Sequence, residues 1–255
     1  MLLPRIIPCL LVKGGGLVKT VNFANPKYVG DPINAVKIFN EKEVDEMIVL
    51  DIDASAQNRE PDYGMIRNIA AECRMPLCYG GGVKSVEQVE RIISLGVEKI
   101  ALSSVAVSNP EIIAQAAELV GSQSIVVVMD VKKTGQDREY NVWTHNANKP
   151  TGLSPVDFAK QVESLGAGEV VINAIDQDGV MKGYDLELVD EIREAIRLPI
   201  TVLGGAGSLK DIAALIHTYG IIGAAAGSLF VFKGIYRAVL ISYPSRAEKE
   251  TIATR

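Results

Sequence analysis

Short apolar runs alternate with amphipathic stretches along the whole chain. The runs at 6–15 (IIPCLLVKGG), 46–52 (EMIVLDI), 75–81, 98–104, 124–131 (SIVVVMDV), 168–175, 198–205 and 221–228 are each nearly continuous in apolar residues. Strands buried on both faces read this way in parallel sheets, whereas half-exposed strands alternate. Helix starts fall between them. Asp31-Pro32, Asn109-Pro110 and Ser154-Pro155 place a capping side chain before proline at the first helical position. Ser85 with Gln88, and Ser208 with Asp211, have capping-box spacing. Eight strand-and-helix units in 255 residues predict one closed (β/α)8 barrel domain, a TIM barrel, over 1–255. An open doubly wound sheet is the runner-up, but it does not account for the chain's internal repeat.

That repeat relates the two halves. Segment 6–15 matches 124–135, 79–89 matches 203–213, and 100–107 matches 224–231, with the last two pairs at one common offset. Where the second half carries Asp130, the first carries Leu11. Two facing carboxylates would make a proton-transfer pair, and a carboxylate facing a leucine has lost one partner.

Composition narrows the function class. The net charge of −5 and pI near 5.2 argue against nucleic-acid or membrane partners, which favour a positive field. The start, MLLPRIIPCLL, has Arg5 in its middle and no small-residue cleavage motif, so it reads as a buried first strand. Cys9, Cys73 and Cys78 are odd in number and lack metal or redox spacing. They read as core thiols of a cytoplasmic protein that needs no metal or cofactor.

Barrel chemistry sits at the carboxyl ends of the strands. Gly80, Gly81 and Gly82 follow the third strand, and Gly204, Gly205 and Gly207 follow the seventh. With Ser103 and Ser104 after the fourth strand, and Gly227 and Ser228 after the eighth, each half offers a phosphate cradle, which suits a bisphosphorylated small molecule. Asp130, Asp51, Asp53, Asp176 and Asp178 are candidate acids, bases or anchors, and Asp178-Gly179 reads as a turn whose amides face the ligand. Loop one, 13–19 (KGGGLVK), reads either as a mobile, lysine-bearing closure or as a floppy, solvated loop. His145 and His217 read as surface or helix residues.

Over nearly its whole length the chain resembles the cyclase subunit of imidazole glycerol phosphate synthase. The resemblance runs through RIIPCL, VNFANPKYVGDP, LDIDAS, GGGV, GSQSIVVVMD, NKPTG, GAGEVV, IDQDGVMKGYD and GGAG. It implies a glutaminase subunit that releases ammonia at the amino-end mouth of the barrel, for reaction at the carboxyl end. It implies a charged gate of Arg5, Glu46, Lys99 and Glu169, and a partner surface including Glu98 and Gln123. Phosphates are implied at Gly82, Ser104, Asp178, Gly179, Gly205, Gly227 and Ser228, with Lys19 and Asp51 also at the ligand and Asp130 as one of two catalytic aspartates.

Leu11 stands in the second aspartate's place. The family reads close to D-V-K-D-G-R-V-V-K-G where this chain reads LVKGGGLVKT, so Gly14 and Gly16 also replace an acid and a base, and Leu203 stands where serine is usual. Removing one general acid or base typically costs about 10² to 10⁴ in rate. The expected function is therefore a partner subunit that keeps the ammonia conduit and has given up the cyclase step, like relatives associated with surface-polysaccharide gene sets that supply ammonia to a third, sugar-amidating enzyme. A working cyclase using Asp130 with a substitute such as Asp51 is the alternative. The sister isomerase of the pathway fits less well, because it too expects the first-strand aspartate.

Overall fold

The computed structural model describes residues 3–135 and 139–254, so Met1 and Leu2 of the apolar start lie outside the described residues. Eight parallel strands, Arg5–Lys13, Met47–Asp51, Leu77–Gly80, Lys99–Leu102, Ile125–Thr134, Glu169–Ala174, Ile200–Leu203 and Gly223–Ala226, pair in chain order. The last closes on the first, with Arg5 opposite Gly223 and Ile7 opposite Ala225. This is the expected (β/α)8 barrel.

The continuous apolar runs follow from two cores. Alternate strand residues such as Leu10, Val49, Tyr79, Val127 and Ile172 face outward onto Phe39, Ile69, Ile92, Phe158, Ile192 and Leu215 of the helices. The intervening residues Ile7, Cys9, Ile48, Cys78, Ala101, Val126, Val128, Val171, Leu203 and Ala225 fill the barrel interior. Burying one large aliphatic side chain contributes about 1.5–3 kcal/mol, so both faces hold the strands in register. Among the described residues no helix is long and apolar enough to cross a membrane.

Four of the five expected helix caps form. Asp31 accepts from the Asn34 amide at 2.8 Å, Ser154 from that of Asp157 at 3.5 Å, and Ser208 with Asp211 forms the reciprocal box. Asn109 does not cap the next helix, since it terminates the short helix Ser104–Ser108 and Glu111–Val120 begins after Pro110. Ser85 caps Val86–Ser94, but Gln88 turns back to the Lys84 amide, so the box is not reciprocal there.

Loop one is not an irregular loop. The first barrel strand turns at Gly14 and Gly15, whose φ values of 55° and 80° suit glycine, into the antiparallel strand Gly16–Val21 and then Ala24–Gly30. The fifth strand makes a similar excursion through Glu139–Thr144 and Lys149–Pro150.

The duplication is visible in the register, with one correction. Leu11 pairs with Leu50 between the first two strands, and Asp130 pairs with Asn173 between the fifth and sixth. Leu11 and Asp130 are thus equivalent, four strands apart either way round the barrel. At the glycine turns, however, Gly81 packs over Asp51 as Gly204 packs over Ala174. Ser85 and Ser208 are equivalent caps. The matched segments 79–89 and 203–213 therefore align one residue differently from the sequence reading. Gly80 corresponds to Leu203, and Gly82 to Gly205.

Candidate functional site at the two ends of the barrel interior

At the amino end, the first residues of three strands, Arg5, Lys99 and Glu169, and Glu46 just ahead of a fourth form a closed ring of ion pairs. Arg5 bonds Glu46 and lies 2.7 Å from Glu169, while Lys99 lies 2.8 Å from Glu46 and 2.9 Å from Glu169. Both carboxylates are buried, and Thr201, fully buried, donates its hydroxyl to Glu169 at 2.5 Å. Burial alone would raise the Glu169 pKa, but the Arg5 hydrogen bond and the charges of Arg5 and Lys99 together hold it below the ordinary range. Lys99 is correspondingly raised, its carboxylate neighbours outweighing burial. The four residues picked out by resemblance thus come together, and each charge has opposite charges beside it. Glu98 and Gln123 are exposed near the same end, although Glu98 also accepts from the Leu77 amide at 2.8 Å.

Above the ring the interior is apolar. Burial pushes the Cys9 thiol up to about 11 and keeps Cys78 protonated as well, so the wall is uncharged as far as the upper cavity.

The cavity at the carboxyl end is lined by Leu11, Lys19, Asp51, Ser104, Asp130, Asp178, Gly179, Gly205, Gly227 and Ser228 among others. Asp130 accepts from the Asn173 amide group at 2.8 Å. Burial, opposed by that bond and by one from Ser103, lifts its pKa to about 7, with Asp178 adding to the rise. A carboxyl group at that value can both hold and release a proton near neutrality. Its equivalent, Leu11, lines the same cavity and packs with Leu50 onto the inner apolar cluster.

Lys19 is buried and donates from Nζ to the Cys9 carbonyl at 2.6 Å. Burial lowers its pKa. Among the described residues no carboxylate lies within ion-pair distance of it, so it is a desolvated cation suited to an anionic ligand. A Cβ at Gly227 would stand 2.5 Å from Nζ, so any larger residue there would push the ammonium group aside. Lys19 is therefore neither floppy nor solvated: it is fixed by the hairpin that replaces loop one.

The remaining candidates separate. Asp178 braces the hairpin, accepting from the Thr20 hydroxyl at 2.6 Å and the Phe23 amide at 3.1 Å. Asp51 accepts from the amides of Asp53 and Ala54, and lies 3.6 Å from Arg59. Burial raises its pKa against the pull of Arg59. Asp53 is buried and paired with Lys13, and Asp176 accepts from the Lys133 amide; both stand outside the cavity lining. Gly82 and Gly207 are also outside it, and the Gly82 amide is directed to the Ser55 hydroxyl.

The structure adds residues that sequence reasoning missed. His145, expected at the surface or in a helix, lines the cavity with Asn146 and bonds Thr144 at 3.0 Å. It lies in a run of three left-handed residues, His145, Asn146 and Ala147. The turn-rich HNAN string between two strands was the available signal. His217 is on a helix as expected, bonding the Ile252 carbonyl. Among the described residues no cluster suits a metal ion.

Fold and cavity together define a (β/α)8 barrel protein with a polar-lined cavity at the carboxyl ends of its strands. The chain belongs to the family described as histidine biosynthesis protein, whose pattern matches residues 5–236. It is 57% identical over 252 residues, 99% of each chain, to a Leptospira interrogans protein provisionally named imidazole glycerol phosphate synthase subunit HisF. It is 58% identical over 250 residues (98% of this chain, 96% of the relative) to a Vibrio vulnificus protein named, equally provisionally, subunit hisF3. A Lactococcus lactis imidazole glycerol phosphate synthase subunit HisF is 40% identical over 230 residues, 90% of this chain and 89% of its own.

Proposed function

We propose that this chain is the barrel subunit of a glutamine amidotransferase complex in which a glutaminase docks on the amino-end face around Glu98 and Gln123. Ammonia enters past Arg5, Glu46, Lys99 and Glu169 and moves along the apolar interior. It is delivered to a third enzyme that amidates a nucleotide-linked sugar in O-antigen or lipopolysaccharide synthesis. The upper cavity binds a phosphorylated small molecule through Lys19, Ser104, Gly179, Gly205, Gly227 and Ser228, with Gly82 and Asp178 holding the surrounding loops. The protein acts in the cytoplasm.

The observation that carries the reading is the contrast at equivalent sites: Asp130 beside Asn173 in one half, Leu11 beside Leu50 in the other. Cyclisation that needs proton transfer on both sides of a substrate has a titrating group on one side and hydrocarbon on the other. The complete ring below gives the chain a reason to persist without that step. The higher identity to the relatives named only provisionally, at 57% and 58%, than to the Lactococcus lactis HisF named without that qualifier, at 40%, also supports a paralogue.

A second reading, a working cyclase and lyase of histidine biosynthesis, is favoured by one observation. Asp51 lines the same cavity with a raised pKa, offering a second carboxyl group. Reconstitution with the glutaminase decides between them. Stimulated glutamine hydrolysis with negligible turnover of the bisphosphorylated ribonucleotide, even with free ammonia, is expected. Imidazole glycerol phosphate formation that disappears in Asp130→Asn would establish the second.

A further inference from the structure

Ammonia that reaches the upper cavity has to meet its acceptor before it meets bulk water, where protonation removes its nucleophilic lone pair. The carboxyl-end face carries an exposed surface suited to such a handover. After the eighth barrel strand, Phe232–Lys233 and Ala238–Val239 form a two-stranded hairpin. Its tip holds Ile235 and Tyr236 at 88% and 90% exposure, with Val239 and Leu240 also exposed beside it. A hairpin of this size is marginal alone. This one is anchored by buried Phe232, with Lys27 of the first-strand hairpin 5.5 Å and Arg237 5.8 Å from the ring centre. Arg237 also donates to the Gly179 carbonyl at 2.9 Å, tying the hairpin to the rim of the ligand cavity.

Charge points the same way. The chain has 31 Asp and Glu residues and a net charge of −5, yet segments 12–30 and 212–247 contain none. Lys27, Lys233 and Arg237 lie in these segments, at or beside the hairpin. An aromatic and aliphatic tip within a basic border has the composition of an interface centre, complementary to an apolar pocket rimmed by carboxylates.

We propose that the hairpin 232–239, with Lys27 beside it, is the docking surface for an acidic-rimmed face of the ammonia-accepting enzyme, which seals the cavity mouth during transfer. This rests on the reading of the chain as an ammonia donor.

The test uses the full chain with its glutaminase and the sugar-amidating enzyme of the same genome. Amide formation is measured with glutamine and, separately, with ammonium chloride. Ile235→Asp combined with Tyr236→Asp, and Lys233→Glu alone, lie outside the ligand cavity. The double variant is expected to cut glutamine-dependent amidation roughly tenfold or more, as loss of interface anchors does. Ammonium-supported amidation and stimulation of glutamine hydrolysis stay unchanged. Lys233→Glu produces a smaller loss that high salt masks.

Full glutamine-dependent amidation in the double variant overturns the docking surface alone. Two other outcomes also overturn it: wild-type binding to phosphatidylglycerol vesicles that the double variant loses, and sedimentation showing self-association through the hairpin. If the wild-type complex forms no amide from glutamine but does so from ammonium chloride, the donor reading fails and takes this inference with it.

Discussion

The two ends of the barrel interior are built on opposite electrostatic terms. At the amino end four charged side chains neutralise one another in a ring, with Glu46 and Glu169 each between Arg5 and Lys99. At the carboxyl end a carboxyl group, Asp130, and an ammonium group, Lys19, are held by uncharged partners, Asp130 by Asn173 and Ser103 and Lys19 by the Cys9 carbonyl. Mutual pairing makes the first end self-sufficient and closed. Groups without a counter-ion make the second end responsive to whatever binds there.

The largest effect on this contrast comes from opening the ring. Glu169→Gln leaves Arg5 and Lys99 to share Glu46, and removing one member of a buried ion network costs about 3–5 kcal/mol. Urea denaturation should show that loss, and replacing Lys99 in the same chain with Leu should recover part of it. Because the folded-state pKa of Glu169 is lowered, its contribution is present above its unfolded-state pKa and lost as pH falls through the folded value. The difference between wild type and Glu169→Gln should therefore shrink on acidification.

Asp130→Asn should act with the opposite pH sign. With a folded pKa of about 7 against 3.8 unfolded, the folded form retains a proton that the unfolded chain releases. Stability therefore falls as pH rises between those values. The variant should be more stable than wild type at pH 8 by a few kcal/mol, on the order expected for a shift of this size. The gain should vanish near pH 4, as read from thermal midpoints across the series.

Lys19→Met should remove a desolvated cation and raise stability by about 1 kcal/mol. It should also abolish protection by inorganic phosphate in thermal shift. Unchanged phosphate protection would place the anion elsewhere.

The smallest expected effect is a gain. Leu11→Asp restores a carboxyl group, but its pairing neighbour is Leu50 where Asp130 has Asn173. Cyclase activity should therefore appear only weakly in Leu11→Asp and more strongly when Leu50→Asn is added.

Much of this contrast could be read in the chain. Eight continuous apolar runs dictate strands buried on both faces, and closure follows from the repeat. The Leu11 and Asp130 equivalence came from that repeat and holds in the strand register. The ring needed the resemblance, because charges ahead of strands ordinarily point into solvent and nothing in their spacing turns them inward. Spacing leaves loop one open between a mobile closure and a floppy loop, because three consecutive glycines suggest freedom, whereas pairing of Val12 with Leu17 and Lys13 with Gly16 leaves a tight turn at Gly14 and Gly15. His145 was missed because a long excursion from the fifth strand carries it back over the cavity, a nonlocal placement that periodicity does not encode.

The most direct test of the central claim is product analysis of the barrel and glutaminase complex given glutamine and the bisphosphorylated ribonucleotide. Glutamine hydrolysis accelerated by the barrel, with no imidazole glycerol phosphate formed, is the predicted result. Imidazole glycerol phosphate released in step with glutamate would contradict it and show that Leu11 has not silenced the upper site.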